Sequence, residues 1–100
     1  NKFSDLKKKV YPQAAQNLYN KGYKSYTAKN YQAAIDSFNR VLALGADDYY
    51  SDDLLFFSAK CYIQLEDVES AVNYLNKLFL TYPKSEYRFE ARQIIKKYQQ

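Results

Sequence analysis

The residues best equipped for chemistry are four carboxylates. Asp47, Asp48, Asp52 and Asp53 fall within seven consecutive positions, near enough for one acid to tune another or for several to hold a cation. Their spacing lacks the central glycine and terminal glutamate of a calcium-binding loop. Acids also collect at helix starts, where they offset the exposed N–H groups, so capping is the expected role of the cluster. Cys61 is the one cysteine, and there is no histidine. Ordinary zinc sites and histidine-based acid–base or triad chemistry therefore have no residues to use. Cys61 can form no internal disulfide and is expected to be a buried thiol. With two glycines in the chain, no phosphate-cradling loop can be built. The expectation is a protein that is not an enzyme and carries no cofactor and no metal.

Lysine and tyrosine offer a second kind of chemistry. Lys21-Gly22-Tyr23-Lys24-Ser25-Tyr26 interleaves cations with stacking surfaces, a composition suited to single-stranded nucleic acid. Charge along the chain argues against a continuous track. Residues 1–30 hold seven lysines against Asp5, residues 45–70 hold seven acids against Lys60, and Arg88, Arg92, Lys96 and Lys97 turn the end basic again. Nucleic acid is the disfavoured reading. Such alternation suits a soluble surface, and it also allows homo-oligomerisation between complementary faces of two copies.

The elements that position these residues come from one amphipathic pattern stated twice. Asn30 to Leu44 reads as a helix with its apolar residues on one face. The pattern returns 37 residues later at Asp67 to Thr81, where Tyr31 maps to Val68, Ala34 to Ala71, Ile35 to Val72, Phe38 to Leu75 and Val41 to Leu78. The preceding helices obey the same shift, with Leu18 on Leu55, Tyr19 on Phe56, Gly22 on Ala59 and Tyr26 on Ile63. A partial third copy follows, with Tyr50 on Tyr87 and Leu54 on Ala91. Two helices per period in this range mark a helical repeat array. Recurring small residues let helix axes approach so that large neighbours interlock.

Helix boundaries follow from local signals. Ser4 and Pro12 bracket a short leading helix or linker, residues 1–12, that carries Lys7-Lys8-Lys9. Helices are then expected from Gln13 to Ala28, from Asn30 to a C-cap at Gly45, from about Tyr49 (capped by Asp48) to Gln64, from an N-cap at Asp67 to Tyr82, and from an N-cap at Ser85 to Tyr98. The domain division is 1–12, 13–48 for the first repeat, 49–84 for the second, and 85–100 for a terminal helix. Its polar face, Glu90, Arg92, Gln93, Lys96 and Lys97, suits the end of an array. No membrane-spanning run and no secretory signal is present. The start at Asn-Lys-Phe, in a chain without methionine, reads as part of a longer protein.

At these residues the chain resembles the tetratricopeptide repeat family. Tyr31, Ala34, Phe38 and Val41 match the second-helix signature, as do Val68, Ala71, Leu75 and Leu78 followed by Pro83, while Gly22 and Ala59 take the small first-helix position. The resemblance covers residues 13–98. Departures are the period, longer than the usual repeat of about 34 residues, Lys21 in place of leucine, Ser25 where an aromatic is common, and Ala46 where proline is frequent. Tyr82-Pro83-Lys84-Ser85 is similar to bacterial envelope members of the family, which points to the cell envelope.

The resemblance implies an all-α, right-handed α–α superhelix of two helix pairs and a C-terminal capping helix. It implies a scaffold that binds a protein or peptide partner on the concave face lined by leading helices. Carried over residue by residue, that face holds Tyr19 and Tyr23, then Asp53, Phe56, Lys60 and Gln64, then Gln93 and Lys97. Tyr26 and Phe57 fit a buried role equally well. In chaperone-binding relatives a lysine and asparagine clamp holds a terminal carboxylate. Tyr19 and Tyr23 stand at the matching places here, which disfavours that ligand.

Overall fold

A computed structural model describes residues 13–43 and 47–98, with the side chains of residues 47–51 outside that description. Among these residues the regular structure is all helix: α1 (Gln13–Thr27), α2 (Tyr31–Ala43), α3 (Asp47–Gln64), α4 (Val68–Thr81) and α5 (Arg88–Tyr98). This is the all-α helical-repeat class that the periodicity predicts. The expectations for residues 1–12, the C-cap at Gly45 and the capping roles of Asp47 and Asp48 lie outside the described residues. The chain divides into two units between Ser51 and Asp52.

In the first unit α1 and α2 form a tight antiparallel hairpin. α2 buries Ala34, Ile35, Phe38 and Val41, a stripe at helical spacing. Gly22 faces the Phe38 ring, and a Cβ on Gly22 would lie 2.6 Å from Phe38 Cε1. Glycine is required here for space, not for backbone conformation, since it sits inside a helix. The Tyr19 ring packs beside the same phenylalanine, with centroids 6.0 Å apart.

Both leading helices end in the same way. Lys29 and Glu66 occupy the left-handed region, with φ of 66° and 64°. The Lys29 N–H donates to the Tyr26 carbonyl at 3.0 Å and the Asn30 N–H to Ser25 at 2.8 Å. One repeat later the Glu66 N–H donates to Ile63 at 3.0 Å and the Asp67 N–H to Tyr62 at 2.9 Å. These paired bonds satisfy the orphan carbonyls of a helix end in the Schellman arrangement. The turn that reverses the chain is thus repeated bond for bond, although neither copy contains glycine.

The second unit gathers the rest of α3 with α4 and α5. Its core holds Leu55, Phe56 and Ala59 from α3, Leu75 and Leu78 from α4, and Ala91 from α5. Asp67 caps α4 as expected, accepting from the Ser70 N–H at 3.1 Å and the Ser70 hydroxyl at 2.7 Å. Ser85 caps the start of α5 by accepting the Tyr87 N–H at 3.1 Å. Asp52 and Asp53 correct the capping expectation. Both are buried in the second turn of α3, where Asp52 Oδ2 accepts from the Ser85 hydroxyl at 2.9 Å and Asp53 Oδ1 from the Tyr87 hydroxyl at 2.6 Å. A buried carboxylate needs donors, and the turn entering α5 supplies them. Cys61 is buried as expected, and desolvation pushes its thiol up to about 11.

Candidate partner-binding groove

Three of the residues expected at a binding surface meet in one place. Lys60 and Gln64 from α3 and Lys97 from α5 line a groove of about 190 Å³ in the second unit. Ile63 and Ile94 are its half-buried apolar lining, and Glu90 and Tyr98 complete the rim. The local reason is helical spacing. Lys60, Ile63 and Gln64 are three and four positions apart, as are Glu90, Ile94, Lys97 and Tyr98, so each set shares one helix face.

Lys60 is held from two sides. Its ammonium lies 3.4 Å from Glu90 Oε2 and 5.4 Å from the centre of the Phe56 ring. With side chains 35% and 56% exposed, the ion pair adds little to stability, as exposed pairs generally do. Its consequence is placement: the lysine stem is drawn over the aromatic face, where cation–π attraction also acts.

The other expected contact residues lie elsewhere. Phe56 is 2% exposed and stacked on Tyr87, with centroids 4.4 Å apart and planes 10° from parallel. Asp53 is 1% exposed and bonded to the same tyrosine. In the second unit Phe56 backs the lysine, and both residues anchor α5 through Tyr87. Gln93 is exposed on α5 but does not line the groove. Tyr19 and Tyr23 belong to the first unit. Tyr19 is half-buried beside Phe38, and Tyr23 is 44% exposed with its ring 6.1 Å from Tyr26. Tyr26 and Phe57, expected to be core or contact, are both half-buried.

Sequence reasoning passed over Glu90, Ile63, Ile94 and Tyr98 as site residues. Ile63 and Ile94 look like core at helical spacing, and Glu90 looks like one more charged residue on the solvent side of its helix. The signal that would have found them is helical spacing: Ile63 lies three residues from Lys60, Ile94 three from Lys97, and Glu90 and Tyr98 each four from Ile94. Among the described residues no cluster of three metal-ligand side chains occurs, and no helix is long and apolar enough to cross a membrane.

Helix pairs repeated at a fixed shift, each reversed by the same turn, define a helical-repeat protein. The family model for the tetratricopeptide repeat matches residues 25–97. The chain belongs to the tetratricopeptide repeat family, whose members generally mediate protein–protein interaction. No curated protein and no solved structure matches it.

Proposed function

We propose that this chain is an interaction module that binds a protein or peptide partner at the groove between α3 and α5. The observation that carries this reading is the convergence of Lys60, Gln64 and Lys97 on one apolar-floored groove. At about 190 Å³ it falls short of the roughly 300 Å³ at which pockets for small organic ligands begin. It suits one anchoring side chain of a larger partner, with polar groups around it to fix orientation, the anatomy of a protein interface.

Site-directed photocrosslinking tests the reading. A photoreactive phenylalanine derivative at Gln64 or Tyr98, both on the groove, exposed to cell lysate, should form a discrete adduct. The same group at Glu69, exposed on α4, should not. Equal adduct formation at all three positions would contradict the groove assignment.

A further inference from the structure

The first unit carries a hollow of its own, of about 420 Å³. Lys21 of α1 lines it beside one face of α2, where Ala33, Asp36, Ser37 and Arg40 stand at helical spacing. Among the described residues neither Lys21 nor Arg40 has an ion-pair partner. Ser37 is 6% exposed, and its hydroxyl makes no hydrogen bond there either. A hydroxyl this buried needs a partner, and the hollow is where one can enter. Asp36 accepts from the Gln32 amide at 3.2 Å through Oδ1 alone.

The second copy closes the corresponding place. Thirty-seven residues on, Ser37 becomes Tyr74 and Lys21 becomes Ser58. Tyr74 is half-buried with its ring 5.2 Å from Tyr62, and Ser58 is fully buried. A ring thus stands where the first copy keeps a short hydroxyl, and a neutral side chain where it keeps a cation.

We propose that this hollow binds a phosphate monoester of a polyol. Arg40 and Lys21 donate charge-assisted bonds to the phosphoryl oxygens, and Ser37 donates a third. Asp36 repels a bare anion but accepts from a hydroxyl of the polyol, so it selects the ester over inorganic phosphate. Among the described residues Ala33 is the only apolar lining and no ring is present to stack on a base, which disfavours a nucleotide. The volume exceeds the roughly 300 Å³ at which pockets for small organic ligands begin.

The test titrates glucose 6-phosphate, glucose and inorganic phosphate into the methyl-labelled full chain by NMR, with the Ala33 methyl as reporter. Glucose 6-phosphate should shift that signal saturably and glucose should not. Inorganic phosphate should bind at least about threefold more weakly, for want of the hydroxyl contact. Lys21→Gln and Arg40→Gln, both at exposed positions, should each weaken glucose 6-phosphate at least about threefold, and raised salt should weaken it too. Asp36→Ala should abolish the preference for the ester. Ser37→Tyr, which copies the second repeat, should close the hollow and remove binding. Unshifted methyl signals elsewhere verify that each variant keeps its fold. Capture by vesicles carrying phosphatidylinositol 4-phosphate, lost in the charge variants, would assign the polyol phosphate to a lipid headgroup, and its absence to a soluble ligand. No saturable Ala33 shift with glucose 6-phosphate, equal affinity for the ester and inorganic phosphate, or undiminished binding by both charge variants overturns the proposal.

Discussion

Gly22 and Phe38 are matched to each other: a methyl-sized atom on the glycine would lie 2.6 Å from the ring. Thirty-seven residues on, the equivalent positions hold Ala59 and Leu75, both buried in the core of the second unit. Where the small residue gains a methyl, the large one gives up its ring. Gly22→Ala should therefore destabilise the chain by about 1–3 kcal/mol through overpacking. Adding Phe38→Leu should recover part of that loss, because the pair then copies the second repeat. Chemical denaturation of the single and double variants gives the coupling directly. A double variant whose loss equals the sum of the two single losses would show that the sites do not compensate.

The two left-handed turn residues lead to a gain of stability. Lys29 and Glu66 hold φ near 65°, a region that costs a residue with a Cβ and that glycine enters freely. Their side chains are exposed, so little packing is lost on removal. Lys29→Gly and Glu66→Gly should each raise stability by about 0.5–1 kcal/mol, after the greater chain entropy of unfolded glycine is subtracted. Thermal unfolding monitored by circular dichroism is sufficient to see it. A fall in melting temperature for both would mean that the turns are not strained.

Tyr87 fastens α5 to α3 through its ring and its hydroxyl. Tyr87→Phe keeps the stack on Phe56 but removes the donor to Asp53, and should cost about 1–3 kcal/mol. Ser85→Ala removes both the cap of α5 and the donor to Asp52, and should cost a similar amount. Amide hydrogen exchange should show faster opening of α5 in both variants. An unchanged exchange rate in α5 would place its anchorage elsewhere.

Cys61 sets a pH dependence whose sign follows from its burial. Its thiol titrates at about 11 in the folded chain, against 9.0 for the free group. The folded state therefore holds the proton more tightly, so this contribution is fully present below pH 9 and is lost as pH rises toward 11. At pH 8 the thiol should react slowly with a disulfide reagent, at a rate set by opening of the fold, and quickly in denaturant. Rapid reaction without denaturant would show an accessible thiol.

Much of this architecture is decided by the sequence alone. The 37-residue shift, the pairing of Gly22 with Ala59 and Phe38 with Leu75, and the cap at Asp67 are local or periodic signals, so one chain suffices to read them. The family resemblance also named Lys60, Gln64 and Lys97 as candidates, because it places the leading helices on the binding face. Tertiary structure decided which polar residues stay at the surface. Asp53 and Phe56 fall on the same helix as Lys60 and look equally available, yet Tyr87, 34 and 31 positions away in sequence, takes the hydroxyl contact of one and the ring face of the other. The groove depends in the same way on α5 lying alongside α3, which brings Glu90 to Lys60. Periodicity specifies the face a residue occupies on its own helix. What that face meets is set by packing between segments far apart in the chain, where one tyrosine can convert an apparent contact residue into core.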